Sequence, residues 1–190
     1  MKENLEKFVL FLNKHYGITP NFLTYIRIFA APWLALFVSK IIEDKNLTLA
    51  IVTLTLYVLV IVTDLLDGIL ARAISKDRQY DHAHGGMLDR LGDKIVIIFL
   101  LIPFGFNLFT FLIIVAESIL AFQAIHSESH KKGATYAGKI KMFLQAFLVP
   151  LLILNMVLDS IPEIFVYAYI IITIIATYAS VYSHYFNSEK

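Results

Sequence analysis

The sequence has no cysteine and little charge. Because none of its 190 residues is cysteine, disulfide frameworks, zinc-thiolate sites and cysteine nucleophiles are excluded. Asp, Glu, Lys and Arg together make up 16% of the chain, whereas about 25% is usual in soluble domains. The hydrophobic fraction is 58% and the mean hydropathy is +0.72. These values argue against an ordinary soluble domain and more strongly against a disordered chain.

Long apolar runs dominate the chain. A helix that crosses a bilayer needs about 20 mostly apolar residues, and six stretches are candidates: roughly 22–38, 47–66, 94–106, 108–125, 140–158 and 164–182. The third is long enough only if it starts near Gly86 and takes Asp89 and Asp93 into its first turns. The predicted fold is therefore an all-α integral membrane protein, with a bundle of six transmembrane helices over residues 19–190.

Residues 1–18 differ from the rest of the chain. Leu5, Phe8, Val9 and Leu12 recur at helical spacing, and charged residues fill positions between them. This pattern is typical of an amphipathic juxtamembrane helix that lies at the membrane interface. The alternative is a helix that packs on a soluble partner.

Lysine and arginine are unevenly distributed over the predicted bundle. With six spans, the N-terminus, the second loop, the fourth loop and the C-terminus share one side, which holds most of the basic residues. The other side holds only Lys40 and Lys45. Because cytoplasmic loops are enriched in Lys and Arg, we predict that both termini face the cytoplasm.

Two pairs of aspartates interrupt the apolar pattern. Asp64 and Asp67 are three residues apart near the end of the second span, and Asp89 and Asp93 are four apart at the start of the third. Either spacing puts a pair on one helix face. Since neighbouring spans are antiparallel, both pairs should reach the same cytoplasmic end. Four carboxylates in a poorly hydrated place repel one another unless some are protonated or cations hold them together.

The chemistry of these acids points to metal ions. Oxygen ligands without cysteine favour a hard divalent ion such as Mg²⁺ or Mn²⁺, and two such ions beside a carboxylate base are a common arrangement for attack at phosphorus. The alternative is a set of interfacial salt bridges with Arg72, Arg90 and Lys94. Gly68 would let a ligand approach the backbone or serve close helix packing, and Arg72 offers a planar fork for phosphate.

These residues resemble the signature of the CDP-alcohol phosphatidyltransferase family, D-x2-D-G-x2-A-R followed after a short spacer by G-x3-D-x3-D. The matching residues are Asp64, Asp67, Gly68, Ala71 and Arg72, then Gly85, Asp89 and Asp93. The spacer, residues 73–84, has twelve residues and is longer than the family's pattern.

Two further stretches are similar to the phosphatidylglycerophosphate synthase branch of that family. Residues 20–27, P-N-F-L-T-Y-I-R, match its P-N-x-[IL]-T-x-x-R, and residues 138–145, G-K-I-K-M-F-L-Q, are similar to its G-K-x-K-T-x-x-Q. Met142 stands where the branch has threonine. Asp89 followed by Arg90 resembles members that transfer to inositol.

The resemblance implies a membrane enzyme that moves a phosphatidyl group from CDP-diacylglycerol, or an archaeal CDP-lipid, to glycerol 3-phosphate and releases CMP. It also implies two divalent ions, Mg²⁺ or Mn²⁺, and a homodimer without a nucleic acid partner. The implied metal ligands are Asp64, Asp67, Asp89 and Asp93, of which Asp93 is also the general base. The implied donor-binding residues are Asn21, Thr24, Asp64, Gly68, Ala71 and Arg72. The implied acceptor-binding residues are Arg27, Lys139 and Lys141.

Other functions stay open at this point. The acceptor is alternatively inositol phosphate, inositol, serine or phosphatidylglycerol, and the reaction would then use the same aspartates. A divalent-cation transporter would also line its path with carboxylates, although only Glu117 continues the ionisable chain toward the other side. A structural membrane subunit would need the acids for assembly alone. Glu117, deep in the fourth span, is expected to face the bundle or a partner subunit and to find a hydrogen bond.

Overall fold

The chain is almost entirely helical. A computed structural model describes residues 2–77, 82–126, 136–158 and 161–188, and no strand occurs within these ranges. The helices are α1 (Lys2–Tyr16), α2 (Pro20–Asp44), α3 (Leu47–Asp77), α4 (His82–Leu101), α5 (Leu108–His126), α6 (Tyr136–Leu158) and α7 (Glu163–Ser188). A 3₁₀ turn, Ile102–Phe104, follows α4. The prediction of an all-α fold is confirmed.

Five helices in the described ranges are long and apolar enough to cross a membrane. These candidate spans are Pro20–Asp44, Leu47–Ile74, Leu108–Ile125, Tyr136–Leu158 and Glu163–Tyr185. Together they support a multi-pass integral membrane protein. Helix α4 is not among them, because four charged residues fall within its 20 residues. The sixth span therefore stays a prediction.

Helix α1 confirms that the first residues are helical, and it packs against α3. Val9 is buried, while Phe8 and Phe11 are about half exposed. The side chains of Leu5 and Leu12 lie outside the described residues. The position of α1 at a membrane interface stays a prediction.

Local capping fixes where α2 and α3 begin. The Thr19 hydroxyl accepts a hydrogen bond from the Phe22 N–H at 3.2 Å, and Pro20 occupies the first helical position. A threonine followed by proline is a local signal for a helix start. The Asn46 side-chain oxygen accepts from the Leu49 N–H at 3.0 Å and caps α3 in the same way.

Helix α2 is the element around which the site is built. It packs against α3 and α4, while α4 contacts α5, α5 and α6 contact α7, and α6 contacts α2 and α3. The buried centre is apolar and includes Leu34, Val38, Ile41, Leu100, Ile113, Leu148 and Ile153. Large apolar side chains such as Phe29 and Trp33 face outward, as expected of helices that are surrounded by lipid.

Candidate active site

One arginine lies between the four predicted aspartates. Arg27, about two turns into α2, is only 2% exposed. Its Nη1 contacts Asp64 and lies 3.2 Å from Asp93 Oδ1. Its Nη2 lies 2.7 Å from Asp89 Oδ1 and 3.2 Å from Asp67 Oδ2. Each terminal nitrogen of the guanidinium thus serves one aspartate from α3 and one from α4.

The sequence spacing explains why the four carboxylates meet. Each pair occupies one face of its helix, and both helices pack on α2. The prediction that both pairs come to the same place is confirmed. The contacts with Arg27 were not predicted, since the branch motif assigned this residue to the acceptor. Residues 78–81 of the lengthened spacer lie outside the described residues.

A glycine lets α4 approach α2 at this point. A Cβ atom at Gly92 would lie 2.9 Å from Thr24 Cγ2 and 3.6 Å from Arg27 Nη2. Contacts as short as 2.9 Å are not tolerated without movement, so only glycine fits here with this helix spacing. Sequence reasoning did not assign Gly92 to the site. The signal that could have found it is its position directly before Asp93, within the second half of the signature.

The acidic cluster has the composition and spacing of a site for a hard divalent ion. Carboxylate oxygens of Asp64, Asp89 and Asp93 all lie within 4.8 Å of one another. Oxygen donors at this spacing suit Mg²⁺ or Mn²⁺. Asp67 is held beside this group, because its Oδ2 accepts a hydrogen bond of 3.4 Å from the Thr24 hydroxyl and also contacts Arg27.

The residues predicted to bind the donor lie on both sides of the aspartates. Gly68 follows Asp67 in α3, and the only group of the described chain within 4 Å of a Cβ built there is Arg72 Nη2, at 3.9 Å. Arg72 is exposed, and its Nε donates to the Gly68 carbonyl at 2.8 Å. This face of α3 therefore has room for a ligand. Ala71 is half-buried on the same turn.

Asn21 and Thr24 approach the site from α2. Asn21 is half-buried in the first turn of the helix. Thr24 is buried one turn further on, and its hydroxyl lies 3.3 Å from the Pro20 carbonyl and 3.4 Å from Asp67. Thr24 therefore belongs to the acidic cluster, whereas Asn21 lies at the start of α2.

The residues predicted to bind the acceptor do not share a contact within the described ranges. Arg27 contacts the aspartates, Lys141 contacts Glu117, and Lys139 is exposed. Lys141 is buried one turn into α6, although a lone lysine in a membrane helix is costly. Its position is explained by its neighbours on α5 and α7.

Glu117 is the centre of a second buried polar cluster. Lys141 Nζ lies 2.9 Å from Glu117 Oε1 and 3.0 Å from Oε2. The Gln145 amide donates to Glu117 Oε1 at 2.7 Å and to the Thr177 hydroxyl at 3.4 Å. The cluster joins α5, α6 and α7. Glu117 therefore faces the bundle, which was one of the two positions that the sequence predicts for it.

An apolar groove of about 970 Å³ lies between α2 and α3. Its walls are formed by α2 and α3 with Phe99 from α4, and they include Tyr25, Phe29, Trp33, Leu56 and Leu59. Two of its lining residues adjoin the site in sequence, since Ile28 follows Arg27 and Thr63 precedes Asp64. A hydrocarbon chain and a polar head could therefore be held in adjoining places.

The helices and the acidic cluster together define a multi-pass membrane protein with a candidate divalent-ion site. The family model described as CDP-alcohol phosphatidyltransferase matches residues 17–179. Since this is most of the 190-residue chain, the protein belongs to the CDP-alcohol phosphatidyltransferase family. No curated protein and no solved structure matches the chain.

Family membership fixes the class of reaction. Members transfer a phosphatidyl group from a CDP-linked lipid to an alcohol, in phospholipid biosynthesis, and they use divalent metal. The chain is thus an enzyme, a transferase, rather than the transporter or structural subunit that the sequence alone left open. The family match does not distinguish between acceptors.

Proposed function

We propose that this protein transfers the phosphatidyl group of CDP-diacylglycerol, or of an archaeal CDP-lipid, to glycerol 3-phosphate and releases CMP. The observation that carries the proposal is the convergence of the four signature aspartates around Arg27. The choice of a phosphorylated acceptor rests on the branch motifs that contain Arg27, Lys139 and Lys141.

The four aspartates are the proposed ligands of two divalent ions, Mg²⁺ or Mn²⁺. The ligands are Asp64, Asp67, Asp89 and Asp93, and the proximity of three of their carboxylates supports this assignment. When bound, the ions would neutralise the donor diphosphate and the charge that develops on the leaving CMP.

Asp93 is the proposed general base. Its carboxylate takes the proton of the acceptor hydroxyl, whose oxygen forms a bond to the lipid-side phosphorus of the donor. The bond from that phosphorus to the oxygen bridging to the CMP phosphorus breaks, and CMP leaves with the bonding electrons. The place of Asp93 among the clustered carboxylates supports this role, since a base must lie where the reacting groups are held.

The donor is proposed to lie with its head at the aspartates and a tail in the apolar groove. Gly68, Ala71 and Arg72 would contact the nucleotide from α3, and Asn21 and Thr24 from α2. The room beside Gly68 and the forked donor of Arg72 suit a nucleotide phosphate. The groove is lined by Ile28 and Thr63, the sequence neighbours of Arg27 and Asp64, and it suits an acyl or isoprenoid chain.

The acceptor is proposed to bind through Arg27, Lys139 and Lys141. Lys139 is exposed at the start of α6, where it can meet a phosphate from water. Lys141 lies two residues further along α6, and Glu117 of α5 holds its ammonium group in place. Inositol phosphate, inositol, serine and phosphatidylglycerol are the alternative acceptors.

In the membrane, we propose that α4 is the sixth span and that residues 1–18 lie at the interface. Residues 19–190 then form the transferase domain. The excess of basic residues on one side would place the site and both termini in the cytoplasm, and the enzyme would act as a homodimer.

The test is CMP release by detergent-purified protein supplied with CDP-diacylglycerol, Mg²⁺ or Mn²⁺, and one acceptor at a time. We expect release that requires glycerol 3-phosphate and stops when a chelator is added. Release only with another alcohol would reassign the acceptor. Absence of release with every acceptor, from a sample that still binds CDP-diacylglycerol, would contradict the proposed reaction.

A further inference from the structure

We infer that Arg27 is a positioning residue: its guanidinium holds the four aspartates together without divalent ions and competes with those ions for the same carboxylates. The inference rests on the metal site proposed above. It adds a function for Arg27 that precedes any contact with the acceptor.

The first argument is that the guanidinium and a metal ion use the same groups. Arg27 contacts Asp64, Asp89 and Asp93, which are the three residues whose oxygens approach within 4.8 Å of one another. Two positive groups that bind the same oxygens repel each other. Binding of ions must therefore weaken or break ion pairs of Arg27.

The second argument is the balance of charge. Four acidic side chains surround one basic side chain that is 2% exposed. Without the guanidinium, the carboxylates would lose the one side chain that contacts all four of them, and their mutual repulsion would increase. Arg27 therefore adds to the apolar packing of α3 and α4 on α2 by holding their carboxylates together when metal is absent.

The third argument is that only the two terminal nitrogens of the Arg27 guanidinium have partners among the described residues. Its Nε is buried and has no hydrogen-bond partner in the part of the chain that the structure describes. A guanidinium has five N–H groups and is fully satisfied only when all of them are paired. Here the terminal nitrogens alone hold it, so its attachment depends on the aspartates that the ions would take.

The consequence follows from linkage. A cation that competes with the ions lowers their affinity, and removing it raises that affinity by the same coupling. Removing it also destabilises the metal-free protein, because the carboxylates then repel one another. Tighter metal binding together with a less stable metal-free protein is the combination that a simple loss of packing would not produce.

The experiment compares wild type, Arg27→Met and Arg27→Lys in detergent, with Lys40→Met as the control. Lys40 is an exposed basic residue of the same helix, thirteen residues from Arg27. Mn²⁺ binding is measured from the electron paramagnetic resonance signal of free Mn²⁺, and thermal unfolding is measured with a chelator and with Mn²⁺. Neither readout requires substrate.

We expect Arg27→Met to bind Mn²⁺ about tenfold more tightly, a coupling of the usual size between interacting sites. In chelator, its Tm should lie below that of wild type. Addition of Mn²⁺ should raise the Tm of the variant by more than it raises the Tm of wild type. Arg27→Lys, which keeps the charge but not the fork, should bind with intermediate affinity. Lys40→Met should match wild type in both measurements.

Unchanged or weaker Mn²⁺ binding in folded Arg27→Met would overturn the inference. If Arg27→Met does not fold, the test is made with Arg27→Lys. A Mn²⁺ affinity of Arg27→Lys equal to or below that of wild type then overturns the inference. CMP release is measured separately. Metal-dependent release without the expected gain in Mn²⁺ affinity rejects the inference and keeps the function. If Mn²⁺ affinity rises as expected but no acceptor supports CMP release, the inference is kept and the proposed function is rejected.

Discussion

The hydroxyl of Tyr57 in α3 donates a 3.2 Å hydrogen bond to the backbone carbonyl of Ala146 in α6. That carbonyl lies four residues before Pro150, which has no N–H to donate to it. Since unpaired backbone groups are costly inside a membrane, Tyr57 compensates for the N–H that Pro150 lacks.

Tyr57→Phe should therefore destabilise the protein by about 0.5–1.5 kcal/mol, the usual net contribution of one hydrogen bond. The phenyl ring would still fill the buried space, so the effect isolates the hydroxyl. Thermal unfolding in detergent measures it, and Tyr136→Phe is the control because Tyr136 is 80% exposed. Equal losses in the two variants would contradict the compensating function of Tyr57.

Gly92→Ala should lower the Tm and weaken Mn²⁺ binding. The added methyl group would lie 2.9 Å from Thr24 Cγ2, and overpacking of this kind costs about 1–3 kcal/mol. Gly68→Ala is the matched variant, because a Cβ there meets only Arg72 Nη2 at 3.9 Å among the described residues. It should keep or raise the Tm, since alanine favours helix, while binding of the CDP-lipid weakens. A Gly92→Ala protein as stable as wild type would show that α2 and α4 separate easily.

Asp93→Asn should reduce kcat for CMP release by at least about 100-fold, the lower range for loss of a general base. The protein should remain folded, because asparagine is nearly isosteric with aspartate. Asp44→Asn, an exposed aspartate at the end of α2, is the control for removal of one acid. Near-normal turnover of a folded Asp93→Asn enzyme would exclude Asp93 as the base.

Glu117→Gln should destabilise the protein strongly, since it leaves the buried Lys141 ammonium without a counter-charge. Breaking a buried ion pair from one side costs about 3–5 kcal/mol. The double variant Glu117→Leu with Lys141→Met should recover most of the Tm, because both charges are then gone. If Lys141 binds the acceptor, the double variant should show a raised KM for glycerol 3-phosphate. An unchanged acceptor KM would limit the pair to a structural function.

Ala30→Trp should raise the KM for CDP-diacylglycerol with little change in the KM for the acceptor. Ala30 lines the apolar groove, and an indole there would occupy the space proposed for a tail. Ala168→Trp places the same side chain on an exposed position of α7 and serves as the control. A donor KM that stays at the wild-type value in Ala30→Trp would show that the tails bind elsewhere.

The parts of the fold and site that follow from short-range spacing could be predicted from the sequence. Asp64 with Asp67, and Asp89 with Asp93, share a helix face by periodicity alone, and Thr19 followed by Pro20 is a local start signal. Apolar runs likewise identified the six stretches that became α2 to α7. In each case the information lies within a few neighbouring residues.

The partners of buried charges could not be predicted, because they depend on how helices pack. Several basic residues were available to the aspartates, and only the close approach of α4 to α2 at Gly92 brings Arg27 to them. The pairing of Glu117 with Lys141 joins residues 24 positions apart in sequence. The charged first half of α4 is also the reason that composition identifies five candidate spans and does not include α4 among them.

The groove between α2 and α3 is open on its outer side, where Tyr25 is 60% exposed and Phe29 is 71% exposed. In a helix surrounded by lipid, that side faces the bilayer. A donor that enters there diffuses in two dimensions and never passes through water, while a polar acceptor arrives from the aqueous phase. The rate would then depend on the mole fraction of donor in the membrane, and dilution of that donor with inert lipid would slow turnover at constant bulk concentration.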